Sequence, residues 1–227
     1  MQRTMAARWA GLILTAVCGL TACSGNGGGQ DTTGAGPPGG SAGSAQPGRY
    51  SGLPEPCGAV GADILRELLP GAEAEVYAGE PMVTYDTGRR VGCEWNSTAE
   101  TATQRLTVDY QRVVSYDPDV SDDDQAALDF DERASEAGIP SAVPPPTDPL
   151  APRPLDGIGQ AAFIDDRQTA SEPGERREIT LAFRNANVIV TVTYAVSTTL
   201  PEPPLDSEQL QQRTRDVAQR LAQGLDG

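Results

Sequence analysis

Apolar residues recur along the chain at two spacings, which predict both helices and strands. The helical spacing begins just after Cys57, and the predicted helix stops at Pro70 and Gly71. Its apolar residues are Val60, Ile64, Leu65, Leu68 and Leu69. Alternation of apolar and polar residues, which is typical of strands, is clearest from Leu106 to Tyr110. Strands are predicted in this part of the chain over residues 75–77, 82–85, 92–96 and 105–115.

A second helix is predicted to begin at Ser121 and to end at Gly138. Three aspartates in its first turn suit the positive end of the helix dipole, and Ser121 is placed to cap the first turn. Seven prolines in residues 140–154 then predict a long surface loop.

The last third of the chain predicts a strand, a hairpin and a helix. The short strand covers residues 161–164, and the hairpin joins 178–184 to 188–196 through Asn185-Ala186-Asn187, where asparagine is expected to adopt left-handed backbone angles. A helix from about Ser207 places four apolar residues on one face, which are Leu210, Val217, Leu221 and Leu225. Together these elements predict an α+β fold, an antiparallel sheet with helices packed on it as a two-layer sandwich.

The N-terminus has the pattern of a secretory signal. Arg3 and Arg8 precede an apolar run of about a dozen residues, which is too short to span a bilayer, and Leu20-Thr21-Ala22-Cys23 follows. This ending resembles the bacterial lipobox, in which the cysteine receives a diacylglyceryl group. We therefore expect a signal peptide over 1–22, lipid attachment at Cys23, and a protein anchored on the extracytoplasmic face of the cell membrane.

Composition divides the remaining chain into a linker and one domain. Residues 23–52 comprise the lipidated cysteine and a stretch rich in Gly, Ser and Pro, which predicts a flexible tether. Residues 53–227 are sufficient for a single globular domain, with 140–154 as its Pro-rich loop.

The cysteine count leaves one pair in the mature domain. Cys18 is lost with the signal peptide and Cys23 is acylated, so Cys57 and Cys93 are predicted to form a disulfide in an exported protein. A redox-active pair is the alternative, but the two residues do not form a Cys-x-x-Cys motif. Trp95 is expected to pack over this disulfide.

Several kinds of catalysis are excluded by composition. The chain contains neither histidine nor lysine, which removes Ser-His-Asp, Cys-His and Ser-Lys chemistry and all histidine-based metal sites. The acidic run from Asp117 to Asp124 does not fit the calcium-binding EF-hand pattern. A net charge of −15 makes nucleic acid an unsuitable partner. No catalytic residue, metal or cofactor is therefore predicted.

The order of short motifs resembles a known family. A lipobox and a Gly/Ser tether precede Pro56-Cys57, and Cys93-Glu94-Trp95 and the segment from Gly157 to Phe163 follow, before a hairpin and a terminal amphipathic helix. In this order the chain is similar to the actinobacterial lipoproteins of domain-of-unknown-function 3558. The resemblance implies a cell-envelope lipoprotein without an established activity or catalytic residues.

Three functions remain open at this point. The first is a non-enzymatic, membrane-anchored domain that binds an envelope protein or a small molecule. The second is an anchored hydrolase of the cell wall that uses a pair of carboxylates, and the third is a carrier for a small apolar ligand, which needs an enclosed pocket.

Overall fold

The structure is a computed structural model that describes residues 44–139, 148, 150–171, 174–199 and 205–226. These residues belong to one compact unit that spans Ser41–Gly227. In chain order the described elements are α1 (Ala62–Leu68), a 3-10 helix (Ala74–Ala78), β1 (Glu80–Pro81), β2 (Arg90–Thr98), β3 (Ala102–Arg112), α2 (Asp122–Glu136), β4 (Arg153–Leu155), β5 (Ala161–Ser171), β6 (Gly174–Asn185), β7 (Val188–Thr198) and α3 (Ser207–Asp226).

The seven described strands form one sheet in the order β1-β2-β3-β7-β6-β5-β4, and each neighbouring pair is antiparallel. Helices α1 and α3 pack on one face, which we call the covered face. Helix α2 packs on one end of the opposite face, which we call the open face. The α+β class predicted from the sequence, an antiparallel sheet with helices packed on it, is confirmed.

The main core lies on the covered face. Three registers across β3, β7 and β6 supply its centre. They are Leu106–Tyr194–Ile179, Val108–Val192–Leu181 and Tyr110–Val190–Phe183, and all nine side chains are buried. Burial of each aliphatic side chain of this size contributes ~1.5–3 kcal/mol.

Helix α3 covers these registers with the apolar stripe that the sequence predicts. Leu210, Val217 and Leu221 are buried, and Leu225 packs at the margin of the core. Asp206 starts the helix because its side chain accepts a hydrogen bond from the Gln209 N–H at 3.0 Å.

Helix α2 begins and ends where the sequence predicts. The Asp124 N–H donates to Ser121 Oγ at 3.1 Å, which caps the N-terminus, and Gly138 adopts φ +75° after the last turn. The Phe130 ring lies 5.4 Å from the Phe163 ring of β5. This contact holds α2 on the open face in a second, smaller core.

Some predicted local structures are wrong. Residues 75–77 lie in the 3-10 helix, and 82–85 form no strand, because Val83 and Tyr85 are fully exposed and face no apolar surface. Arg153 and Pro154, which we placed in the Pro-rich loop, pair with β5 in the edge strand β4. The loop residues 140–147 and 149 lie outside the described residues.

The hairpin turn between β6 and β7 also differs from the prediction in one detail. Ala186, and not an asparagine, adopts the left-handed conformation, with φ +50°. Asn187 is completely buried and uses its side chain in another way: its Oδ1 accepts from the Tyr50 N–H and its Nδ2 donates to the Tyr50 carbonyl, both at 2.9 Å.

The predicted tether therefore ends earlier than residue 52. Besides the Tyr50 bonds, the Gly48 N–H donates to Asp122 Oδ2 at 3.0 Å, and the Asp122 N–H donates to the Gln46 carbonyl at 3.0 Å. Residues 46–50 are thus fixed to the domain by groups more than seventy positions away in sequence. Composition alone assigns this stretch to the tether, because glycine is common both in flexible tethers and in loops that pack on a domain.

We expect Asn187→Ala to release residues 46–50 from the domain. Loss of both bonds to Tyr50 leaves partly buried main-chain groups unpaired, at a cost of up to ~1–3 kcal/mol. Hydrogen exchange measured by mass spectrometry should then be faster in peptides that contain Gly48 and Tyr50, and unchanged in β3. Asn185→Ala is the matched control, since Asn185 lies in the same turn and bonds to Asp226 instead. Equal protection in wild type and Asn187→Ala would contradict the assignment.

Candidate functional site

Of the three predicted site residues, the structure describes two. Cys23, the predicted lipid attachment site, lies outside the described residues. Cys57 and Cys93 form a disulfide with an Sγ–Sγ distance of 2.05 Å. Cys57 belongs to the segment before α1 and Cys93 is completely buried in β2, so the bond attaches this N-terminal segment to the sheet.

Trp95 lies on the same face of β2 as Cys93 and is buried. Both side chains lie against Gly79, whose φ is +71°. A Cβ atom at Gly79 would come within 2.5 Å of Cys93 Sγ and 2.6 Å of Trp95 Nε1. Gly79 therefore allows the main chain to pass directly over this buried pair.

The acidic run at the start of α2 has a structural role. Asp122 is buried, and its Oδ1 accepts from the Ser115 N–H at 2.8 Å while Oδ2 accepts from Gly48. Asp122 therefore joins the helix start to the segments that contain Gly48 and Ser115. Among the described residues, no group of three or more acidic or cysteine side chains is placed to hold a metal ion.

The open face beyond α2 is polar across the central strands. Thr107, Thr193 and Thr180 lie side by side on β3, β7 and β6, and Asp165 follows on β5. The next register carries Arg105, Ala195, Glu178 and Arg167. The alternation of threonine with valine in β7 was the signal for this polar face in the sequence.

Each acidic side chain in this part of the open face has an arginine beside it. Glu94 pairs with Arg105, Arg176 Nη2 lies 2.7 Å from Glu178 Oε2, and Arg167 Nε lies 2.6 Å from Asp165 Oδ2. Asp165 is buried, whereas the Arg167 side chain is 65% exposed. The arginines therefore extend towards solvent from acids held at the sheet surface.

Glu94 shows the electrostatic effect of this arrangement. Burial raises the pKa of Glu94, but hydrogen bonds from Asn96 and Arg105 and the positive charge of Arg105 outweigh burial and lower the pKa below its usual value. Glu94 is therefore ionised at neutral pH and acts as a hydrogen-bond acceptor.

A cavity of about 300 Å³ lies where the polar face meets α2. Asp165, Glu178 and Thr180 contribute from the sheet, and Arg133 and Glu136 contribute from the helix. These groups suit a polar ligand or a partner's charged side chain, since donors and acceptors of both charges surround the opening.

Two further cavities lie beside α2 and α3, and the one beside α3 has the more apolar wall. One of about 490 Å³ lies on the other side of α2, between Phe130, Ile139 and Leu155. The other, of about 440 Å³, lies on the covered face between residues 54–59 and the end of α3.

Comparisons with known proteins do not assign the chain to a group. No family model matches it, and no curated protein matches it either. The resemblance to domain-of-unknown-function 3558 lipoproteins therefore stays a prediction. None of the described helices has the length and hydrophobicity that crossing a bilayer requires.

Removal of the disulfide should destabilise the domain. The bond joins residues 36 positions apart, and loop-closure entropy predicts that Cys57→Ala with Cys93→Ala lowers the free energy of unfolding by ~3–4 kcal/mol. Urea denaturation followed by circular dichroism measures this change. Wild-type protein in a reducing agent is the control and should lose a similar amount. A loss below about 1 kcal/mol in both samples would contradict this role.

The Glu94–Arg105 pair should make stability depend on pH. Because folding lowers the Glu94 pKa, the carboxylate stabilises the protein above the ordinary glutamate pKa and loses this effect as the pH falls through the lowered value. We expect wild type to exceed Glu94→Gln in unfolding free energy at about pH 7, and the difference to shrink by about pH 3. The exposed residue Glu100 provides the control variant, Glu100→Gln. A difference that is constant or larger in acid would refute this effect.

Proposed function

We propose that this protein is a lipid-anchored extracytoplasmic lipoprotein whose domain binds a partner or ligand without catalysis. The observation that carries the proposal is the N-terminal order of Arg3 and Arg8, a short apolar run, and Leu20-Thr21-Ala22-Cys23. Two acyl chains on Cys23 would suffice for stable attachment to a membrane.

The position of residues 46–50 on the domain supports this proposal. The chain from Cys23 reaches the domain at Gln46, whose carbonyl is bonded to Asp122. If the segment between these residues is the flexible tether that its composition predicts, its root-mean-square length would be about 25 Å. The domain would thus stay close to the membrane, where its effective concentration towards membrane-bound partners is high.

The open face supports binding better than hydrolysis. A glycosidase of the cell wall requires one carboxylic acid with a raised pKa. Glu94 has a lowered pKa, and Asp165 and Glu178 are each paired with an arginine. Such ion pairs provide directed hydrogen bonds for a partner.

A carrier for a small, mostly apolar molecule is the second candidate function. The cavity of about 440 Å³ favours it by its size and by its apolar side chains Pro54, Ala59 and Leu221, although it opens to solvent and is not enclosed.

The anchor is tested by Cys23→Ala in the full chain. Without the thiol, no lipid is attached, so the protein should move from the membrane pellet to the soluble fraction after cell breakage. Cys18→Ala is the matched control, because it removes a cysteine from the leader and leaves Cys23 intact. Retention of Cys23→Ala in the membrane pellet would refute the anchor.

A further inference from the structure

The cavity of about 440 Å³ on the covered face has an apolar wall and a polar base. Pro54 and Ala59 line one side, and Leu221 and Gly224 of α3 line the other. Tyr110 of β3 also lines the cavity although only 1% of this residue is exposed. Tyr110 therefore lies at the inner end of the cavity.

The Tyr110 hydroxyl has no hydrogen-bond partner among the described residues. Tyr194, which lies on the same face of the sheet, donates its hydroxyl to the Leu68 carbonyl at 2.5 Å. The Tyr110 hydroxyl is not among the fully enclosed side-chain groups that lack a partner, so it borders the cavity and can donate to a ligand atom placed there. Burial and then the charge of Glu55 raise the pKa of Tyr110, so the phenol remains protonated and available as a donor.

The rim of the cavity carries one available positive charge. Arg220 is exposed and forms no ion pair with the described residues. Glu55, also at the rim, keeps its negative charge, but its two oxygens are directed to the N–H groups of Cys57 at 2.9 Å and Gly58 at 2.6 Å. An anionic group of a ligand would therefore meet the Arg220 guanidinium.

We infer that this cavity binds a small amphipathic carboxylate, with Tyr110 donating to an oxygen of the ligand at the inner end and Arg220 pairing with the carboxylate at the rim. The apolar body of the ligand lies between the Pro54–Ala59 segment and α3. The volume admits roughly fifteen non-hydrogen atoms, if each takes about the 30 Å³ of a liquid water molecule. The inference rests on the proposed role as a binding domain, but not on the lipid anchor.

Three ten-carbon probes separate the two polar contacts. 10-Hydroxydecanoate offers both groups, decanoate lacks the inner oxygen, and 1,10-decanediol lacks the carboxylate. Isothermal titration calorimetry uses the full chain with Cys23→Ala in detergent-free buffer, so that no detergent competes. We expect 10-hydroxydecanoate to bind the parent protein most tightly, with a Kd of ~0.1–1 mM, as is usual for ligands of this size.

The variants then assign each contact. Tyr110→Phe keeps the ring and should weaken 10-hydroxydecanoate about twofold to tenfold, while decanoate changes less than about twofold. Arg220→Gln should weaken both acids about threefold to tenfold and leave the diol unchanged. Tyr116→Phe and Arg66→Gln make the same substitutions outside the cavity and should change nothing.

A steric pair of variants provides an independent test. A Cβ at Gly224 meets no atom within 4 Å, so Gly224→Ala should bind normally, whereas Gly224→Leu should fill the cavity and abolish binding. Circular dichroism checks that each variant is folded.

Two results would overturn the inference. One is the absence of heat from either acid at millimolar concentration, and the other is a Tyr110→Phe effect that is equal for decanoate and 10-hydroxydecanoate. Failure of the titration while Cys23→Ala is still released from membranes would refute the cavity and leave the anchor. If the probes bind but Cys23→Ala stays in the membrane pellet, the anchor would be refuted and the cavity would stand.

Discussion

Pairing between β3 and β7 is the interaction on which the rest of the structure depends. It joins the N-terminal strands β1 to β3 to the C-terminal strands β4 to β7 through eleven register pairs, from Ala102–Thr198 to Arg112–Val188. A shift of one residue would turn every side chain of β3 to the other face. The register therefore decides which residues form the core and which meet solvent.

Because of this register, one face of the sheet is apolar and the other is polar over its central strands. On the covered face it aligns Leu106, Val108 and Tyr110 with apolar partners beneath α3. On the open face it aligns threonines and places acids beside arginines, so that half of the sheet is suited to polar contacts. Helix α2 covers only the end of the open face where Phe163 supplies an apolar surface.

Features that depend on local sequence could be predicted. The Ser121 cap, the Gly138 stop and the apolar stripe of α3 each depend on residues within a few turns of one another. The disulfide followed from counting cysteines in a chain that is predicted to be exported.

Features that depend on distant partners could not be predicted. Residues 46–50 are held by Asn187 and Asp122, and nothing in a Gly-rich stretch indicates these bonds. Residues 75–77 alternate like a strand but are too few for alternation to distinguish a strand from a 3-10 helix. The alternation in β7 indicated the polar open face. The pairing of its acids with arginines could not be predicted, because it depends on how the strands align with one another.

The cavity beside Tyr110 connects the disulfide to the proposed binding role. Phenylalanine at position 110 would fill the same space in the core, so packing alone does not account for the hydroxyl. The hydroxyl is useful only if the cavity above it is kept open at a constant width. Cys57 belongs to the segment that forms one wall, and its bond to Cys93 fixes that wall to β2. If the cavity binds the carboxylate that we propose, the disulfide also holds one of its walls in place.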